Sequence, residues 1–190
     1  MKKVAIVVGH GPRIDKGAVN ANGETEMDWN RDLANRIVTE LKSAGQIEPV
    51  LIYRKVEKLS PVSEINETKA DLAIELHLNA SDDSDADLEG TASGTEMIVY
   101  HLPATGSPSV GSKKAADALL RAALGTLKLP NRGVRPPYEG RGNRFLSKTT
   151  MPAVIVESFF IDHTPDLDRG NAVKQELAKA YADALMEVLQ

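Results

Sequence analysis

The chain has 190 residues, of which 42% are hydrophobic and 26% charged, and its formal net charge is -4. This composition is typical of one globular domain, residues 1–190, and excludes wholesale disorder and collagen-like sequence. The acidic balance argues against a general nucleic-acid binder, and the absence of cysteine excludes disulfides, thiolate metal sites and a cysteine nucleophile.

The N-terminal apolar run, residues 4–8, is followed directly by Gly9, His10 and Gly11. The run is far shorter than the ~20 residues of a membrane span and shorter than the ~7–15 apolar residues of a signal peptide. We therefore predict a buried strand over residues 3–8. The chain is expected to have no membrane span and to be made in the cytoplasm without a signal peptide.

Apolar residues further along the chain alternate between continuous runs, which favour strands, and helical spacing. Helical spacing is clearest in the series Trp29, Leu33, Ile37 and Leu41. Gly45 is a suitable helix stop, and Ser60 and Pro61 are typical of a helix start. After the first strand we predict, in chain order, a helix from residue 29 to about 45, a strand over 49–53, a helix over 61–69, strands over 71–78 and 95–101, a helix over 113–127, a small edge strand at 145–146, a strand over 153–156 and a helix over 173–189.

Strands separated by helices predict an α/β fold, a three-layer sandwich with a mostly parallel central sheet of about six strands flanked by helices. Two segments lie outside this alternation. Residues 81–94 are polar and acidic but lack the spacing of an EF-hand calcium loop, so we expect a mobile surface loop. Residues 129–143 are rich in proline, glycine and arginine and are also predicted to be a loop.

Four ionisable side chains interrupt or flank the apolar runs: His10, Glu26, His77 and Glu157. Three of them lie at or near the predicted carboxyl ends of strands, where open α/β sheets bind their ligands. Glu26 lies just before the first long helix. We therefore expect two imidazoles and two carboxylates to converge at one edge of the sheet.

This set suits a catalytic zinc site, in which three His or carboxylate ligands leave a fourth position to water and the remaining carboxylate acts as a general base. The residues alone also allow other roles. His10 and His77 can be hydrogen-bonded structural histidines, and Glu26 can be a charge favoured at a helix N-terminus. Glu157 is harder to explain in this way, because it follows a buried apolar strand and an unpaired buried carboxylate is costly.

Several short motifs follow one another along nearly the whole chain. They are Gly9-His10-Gly11 with Asp15 and Gly17-Ala18, Gly23 with Glu26 and Asn30, Tyr53-Arg54, His77-Leu78-Asn79-Ala80, Arg132-Gly133-Val134, and Pro152-Ala153-Val154 with Val156-Glu157. In this order and spacing they resemble the zinc-dependent N-acetylmuramoyl-L-alanine amidases of the amidase-3 type, which occur in bacterial cell-wall hydrolases and phage endolysins.

The resemblance implies that His10, Glu26 and His77 bind one zinc ion per chain and that Glu157 is the catalytic carboxylate. Glu24 is a competing ligand candidate, but the spacing of Glu26 fits the family pattern better. The implied reaction is hydrolysis of the amide bond between N-acetylmuramic acid and L-alanine of peptidoglycan stem peptides. Zinc-activated water would attack the carbonyl, with Glu157 as general base and acid.

The same segments contain candidate auxiliary residues. Asn79, in the motif of His77, and Arg144 are predicted to bind substrate. Stem peptides carry carboxylates that arginine can hold, although a solvated basic loop would contain the same arginines. Arg144 is one of four arginines before the last strand, with Arg132, Arg135 and Arg141. Glu75 stands where the family usually has serine and shares a strand face with His77, so it can orient that imidazole. Phe159 stands where the family usually has glycine, which bears on the shape of the pocket.

Other functions fit parts of this pattern. A zinc peptidase acting within stem peptides would use the same four residues, and a catalytically inactive cell-wall-binding module would need none of them. A metal-free carbohydrate hydrolase would leave His10 and His77 without a role. We expect peptidoglycan as the partner, no nucleic acid, a monomer, and action on the cell wall after release or export, as a phage endolysin or a bacterial amidase.

Overall fold

The architecture was analysed in a computed structural model, which describes residues 1–11, 13, 15–54, 61–81, 90–138 and 143–190. The strands are β1 (Lys2–Val8), β2 (Ile47–Tyr53), β3 (Leu72–Asn79), β4 (Thr95–Ile98), β5 (His101–Leu102), β6 (Ser107–Pro108), β7 (Asn131–Arg135) and β8 (Ala153–Phe160). The helices are α1 (Glu26–Ala44), α2 (Val62–Glu67), α3 (Val110–Leu127), α4 (Asn143–Lys148), α5 (Thr164–Ala172) and α6 (Lys174–Leu189).

Six of the strands form one sheet in the order β2-β1-β3-β8-β4-β7, and β5 pairs with β6 in a separate hairpin. Neighbouring strands of the large sheet are parallel except β4 and β8, which are antiparallel. The sheet therefore changes direction once, between β8 and β4. The predicted fold, a mostly parallel six-stranded sheet flanked by helices, is confirmed.

Helices cover both faces of the sheet, which gives the three layers. The larger apolar cluster lies between one face and helices α1, α3 and α6, and includes Ile6, Ile74 and Val156 from the strands. The smaller cluster lies on the other face, where Ile65 of α2 and Phe145 of α4 contact alternate strand residues. Successive strand residues point to opposite faces, so each strand contributes to both clusters.

Helix α1 starts and stops where its sequence favours it. Thr25 is the N-cap, and its hydroxyl oxygen accepts a hydrogen bond from the backbone N–H of Asp28 at 3.2 Å. Gly45 ends the helix in the left-handed conformation, with φ of 67°. The apolar series predicted from the spacing is buried against the sheet, which fixes the first turn, including Glu26, at one sheet edge.

Four local predictions are wrong. The expected edge strand at residues 145–146 is part of α4, where Phe145 and Leu146 are buried in the smaller cluster. The expected loop at 129–143 contains the edge strand β7. The expected strand over 95–101 ends at Ile98, and His101 begins the hairpin. The cap position of α2 is Pro61 rather than Ser60, and Ser60 itself lies outside the described residues.

Strand β8 continues four residues beyond the predicted end and carries a register shift. Its pairing with β3 runs from Ala73↔Ala153 to His77↔Glu157 and then resumes at Asn79↔Phe160, so β8 holds one extra residue in this interval. Such a bulge reverses the faces that later side chains take. Accordingly Phe159 joins the larger cluster, where it stacks edge-on against Trp29 at 4.8 Å between ring centroids.

None of the helices in the described part of the chain is long and apolar enough to cross a membrane. The prediction of a mobile acidic loop over 81–94 falls mainly on residues 82–89, which lie outside the described residues.

Candidate metal centre

His10 lies two residues beyond the end of β1, on a sharp turn of the backbone. Its φ is 63°, a left-handed conformation that is uncommon for a residue other than glycine. The turn directs the two ring nitrogens to different carboxylates. Nδ1 lies 2.8 Å from Oδ1 of Asp15, and Nε2 lies 3.1 Å from Oε2 of Glu26.

Glu26 is the first residue of α1 and is buried, with its carboxylate held from several sides. Oε2 accepts the backbone N–H of Ala18 at 3.0 Å, and Oε1 accepts that of Leu78 at 3.0 Å. Oε1 also lies 2.8 Å from Nδ1 of His77. One carboxylate thus joins the loop after β1, the start of α1 and the end of β3.

His77 lies within β3, two residues before the strand ends. Its Nδ1 faces Glu26, and its Nε2 lies 3.5 Å from Oε2 of Glu75. The imidazole rings of His10 and His77 meet edge to face, with 5.0 Å between their centroids. The two histidines are therefore neighbours, as the sequence predicted.

His10, Glu26 and His77 form a group that fits a metal ion. Each offers one ligand atom, and these atoms lie within 4.8 Å of one another. Two imidazole nitrogens and a carboxylate oxygen are the donors that zinc accepts in catalytic sites. Within the described part of the chain this is the one group of three or more such side chains close enough to hold an ion.

The electrostatics of the group favour a positive charge at its centre. Burial alone raises the pKa of Glu26, but hydrogen bonds and charge from His10 and His77 outweigh it and hold that pKa well below its usual range. Burial lowers the pKa of His77, but Glu26 and Glu75 raise it more strongly, so the net pKa lies well above its ordinary value.

Two glycines keep the centre open. A Cβ atom added at Gly9 would lie 2.5 Å from Cε1 of His77, and one added at Gly17 would collide with the Glu26 carboxylate and the His10 ring. Gly17 also has φ of 75°, which disfavours any side chain. A side chain is thus excluded sterically at both positions.

Glu157 is half-buried within β8 and adjoins the centre through the sheet register. It pairs with His77 across the β3–β8 ladder and with Glu96 across the β8–β4 ladder. Paired residues of neighbouring strands, which lie about 4.7–4.9 Å apart, have their side chains on the same face of the sheet. His77, Glu157 and Glu96 therefore form a row across three strands, on the face of the smaller apolar cluster.

Glu96 is a buried carboxylate that the sequence analysis did not single out. It accepts hydrogen bonds from Nδ2 of Asn79 at 2.9 Å and from Nε of Arg132 at 3.1 Å, and Nε of Arg135 lies 3.7 Å away. The Arg132 guanidinium also lies over the Phe160 ring, 4.9 Å from its centroid. An acidic residue flanked by Thr95 and Met97 in an apolar strand was the available signal, because such a charge needs a buried partner.

Glu75 is buried in β3, two residues before His77. Its Oε1 accepts a hydrogen bond from Nη2 of Arg54 at 2.9 Å, while Oε2 faces His77. Burial raises the pKa of Glu75, but His77 and Arg54 outweigh this effect and the net pKa is lowered. The predicted contact between Glu75 and the His77 imidazole is thus present in the structure.

The remaining predicted site residues differ in their contacts and in their exposure. Glu24, the competing ligand candidate, is exposed and accepts a hydrogen bond from Asn20 at 2.8 Å. Asn79 lies beside the centre, with its amide N–H bonded to Glu96. Arg144 is exposed on α4, and its contact with substrate stays a prediction. Arg141 lies outside the described residues.

The fold and this group together define an α/β protein with a candidate metal centre at one edge of its sheet. The family model described as N-acetylmuramoyl-L-alanine amidase, Amidase_3, matches residues 4–187. The chain therefore belongs to the Amidase_3 family of N-acetylmuramoyl-L-alanine amidases.

Relatives with this domain occur in a bacterium and in a phage. The N-acetylmuramoyl-L-alanine amidase LytC of Bacillus subtilis (strain 168) is 29% identical over 177 residues, which are 92% of this chain and 32% of LytC. The endolysin of Bacillus phage SPP1 is 25% identical over 197 residues, which cover 99% of this chain and 66% of the endolysin. The chain thus spans about a third of LytC and about two thirds of the endolysin.

Solved structures share the architecture. The catalytic domain of CwlV, an N-acetylmuramoyl-L-alanine amidase from Bacillus (Paenibacillus) polymyxa var. colistinus, has a TM-score of 0.78 and 25% identity, covering 98% of this chain and 97% of that domain. Cwp6 from Clostridium difficile has a TM-score of 0.81 and 25% identity over 100% of this chain and 29% of its own. The sheet order and helical layers described above are thus those of amidase catalytic domains.

Proposed function

We propose that this chain is a zinc-dependent N-acetylmuramoyl-L-alanine amidase domain acting on peptidoglycan. His10, Glu26 and His77 would bind one zinc ion, and Glu157 would be the general base. The substrate bond would be the amide between the lactyl group of N-acetylmuramic acid and the L-alanine of the stem peptide.

The observation that carries this proposal is the convergence of the four residues. Three separate segments bring two imidazoles and a buried carboxylate within ligand distance of one another. A second carboxylate, Glu157, stands directly beside His77 in the sheet register. Family membership over residues 4–187 supports the bond that the site would cleave.

The chain's own residues account for the proton transfers. Glu157 would accept a proton from the attacking water and return it to the leaving amine of L-alanine. Zinc, when bound, would lower the pKa of its water toward ~7 and stabilise the oxyanion that forms on the amide carbonyl. General acid–base catalysis by such a residue contributes about 10²–10⁴-fold to the rate.

The experiment uses zinc-loaded protein, purified peptidoglycan and three variants. Glu157→Gln should keep one zinc per chain and release stem peptides about 10²–10⁴-fold more slowly. His77→Ala should lose both zinc and activity. Glu187→Gln, which changes an exposed residue of α6 far from the sheet edge, should behave like the wild type.

The chemistry of the products decides between an amidase and a peptidase. An amidase creates new N-terminal alanine and sugar-linked lactyl carboxylates, whereas a peptidase acting within the stem creates other N-termini and leaves alanine attached to the sugar. End-group labelling followed by mass spectrometry distinguishes the two. New termini other than alanine would replace the amidase proposal with the peptidase. No released peptide, together with binding to peptidoglycan, would support the binding module instead.

A further inference from the structure

We propose that Arg54 is a positioning residue that holds both candidate ligand histidines in place through two carboxylates, Asp15 and Glu75. The inference rests on the proposed metal centre and concerns its outer contacts. Arg54 follows directly after β2 and has 11% of its side chain exposed. It contacts Asp15 and Glu75, the two carboxylates that face the ring nitrogens of His10 and His77 not directed at Glu26.

Through its first contact, with Asp15, Arg54 fixes His10. Its Nδ1 lies 2.8 Å from Oδ1 of Asp15, and the other oxygen of the same carboxylate lies 3.9 Å from Nη1 of Arg54. An imidazole that donates from Nδ1 presents the lone pair of Nε2, the atom that faces Glu26. Asp15 thus selects the nitrogen of His10 that can bind metal.

Through its second contact, with Glu75, Arg54 fixes His77, and the two ring nitrogens here have the reverse roles of those in His10. Nε2 of His77 lies 3.5 Å from Oε2 of Glu75, whose Oε1 accepts a hydrogen bond from Nη2 of Arg54 at 2.9 Å. The nitrogen that faces Glu26 is here Nδ1. The two ligand nitrogens are therefore Nε2 of His10 and Nδ1 of His77, and a carboxylate tied to Arg54 stands behind each ring.

One guanidinium can serve both carboxylates because its donors are arranged in a planar fork and its charge is permanent. Glu75 is 1% exposed, so its charge needs a fixed partner in the protein interior. Because Glu75 contacts both Arg54 and His77, the position of His77 depends on Arg54.

An ordinary structural ion pair would predict a different outcome, because it would affect only the folding stability. Outer partners of metal-binding histidines typically contribute 10–100-fold to metal affinity. We therefore expect Arg54→Ala to weaken zinc binding by about this factor. Arg54→Lys should weaken it less, because the ammonium keeps the positive charge although it cannot contact both carboxylates in one plane. Glu75→Gln keeps an acceptor behind His77 and should weaken binding mildly.

The test measures zinc affinity by competition with a chelator, and the metal-bound nitrogen of each histidine by ¹⁵N NMR of the zinc-loaded protein. The wild type should bind through Nε2 of His10 and Nδ1 of His77, and Arg54→Ala should disturb these signals. Arg36→Lys is the matched control, because Arg36 pairs with Asp32 on the surface of α1. If Arg54→Ala does not fold, Arg54→Lys and Glu75→Gln carry the test.

Each outcome separates this inference from the proposed function. Unchanged zinc affinity and unchanged histidine signals in the Arg54 variants, with only a lower melting temperature, would overturn the positioning role. Zinc binding through the stated nitrogens without release of stem peptides would overturn the amidase function and leave the positioning role standing. A wild-type chain that binds no zinc would overturn both.

Discussion

Glu26 is the residue on which the candidate centre depends most, because its carboxylate contacts both histidines and two backbone N–H groups. We predict that Glu26→Gln folds but is less stable, since its amide oxygen can accept only one of the two backbone hydrogen bonds that the carboxylate accepts. It should weaken zinc binding by more than the roughly 10–100-fold typical of outer partners, because a charged ligand is lost. Zinc titration against a chelator measures this effect.

Glu24→Gln is the matched control for this prediction. Glu24 lies two residues earlier, is exposed and bonds to Asn20 rather than to a histidine. Its variant should bind zinc like the wild type. A loss of zinc from Glu24→Gln with normal binding by Glu26→Gln would exchange the two residues and show that the carboxylate ligand had been misassigned.

A substitution of Gly17 tests whether the same centre needs the space that the absent side chain leaves. Gly17→Ala would place a methyl group against the Glu26 carboxylate and the His10 ring, so it should abolish zinc binding. Gly23→Ala is a close control, because Gly23 has a similar φ of 81° but open space around its Cβ position. Both variants bear the backbone cost of about 1 kcal/mol for a left-handed alanine, so equal zinc affinities in the two would exclude crowding.

The packing of α6 on β8 makes a prediction about alkaline pH. Tyr181 of α6 is fully buried, and its hydroxyl lies 3.0 Å from Oγ of Ser158. Burial raises the pKa of Tyr181 well above its ordinary value near 10, and the Ser158 hydrogen bond offsets this only in part. The neutral phenol therefore contributes its full stability below pH 10, and this contribution falls as the pH rises toward the folded-state pKa.

Tyr181→Phe isolates that effect. At pH 7 the variant should be less stable by about 1 kcal/mol, because one buried hydrogen bond is lost. Above pH 10 the wild type should lose about 1.4 kcal/mol per pH unit relative to the variant, so the two should be equally stable near pH 11. Urea unfolding at several pH values measures the difference, and a gap that stays constant with pH would contradict the prediction.

The elements that could be predicted from the sequence are those with long, regular apolar patterns. Helix α1 and strands β1 and β3 were placed within a few residues, because spacing and length agree in them. The segment at Phe145 and Leu146 was mispredicted, because two adjacent apolar residues define neither period. Strand β7 was missed because Asn131–Arg135 is polar, as an edge strand can be when its pairing rather than its burial defines it.

The candidate site was predictable where a polar residue breaks an apolar run. His10, His77 and Glu157 stood out in this way, and the resemblance selected Glu26 over Glu24. Glu96 and Arg54 could not be placed, because their roles depend on pairings across the sheet that no local pattern encodes. The bulge in β8 was equally hidden, although it determines that Phe159, two residues after Glu157, joins the core on the opposite face.

At the scale of the whole molecule, metal binding should stabilise the fold, because the ligands come from three segments that are distant in sequence. Zinc at about 1,000 times its dissociation constant would add roughly 4 kcal/mol to the free energy of unfolding. We predict that removing zinc with a chelator lowers the melting temperature of the wild type and lowers that of Glu26→Gln much less. Equal melting temperatures with and without zinc would contradict a metal centre in the folded chain.

The single reversal of direction in the sheet, between β8 and β4, affects how the domain can diversify. Strands β1, β3 and β8 end at the edge that holds the candidate centre, whereas β4 starts there, since Thr95 bonds to the Ser158 carbonyl. The connection from Asn79 to Thr95 therefore begins and ends at this one edge and need not cross the molecule. Insertions or deletions in this connection would leave the register of the ligand-bearing strands unchanged, so related domains can differ here in length without disturbing the candidate centre.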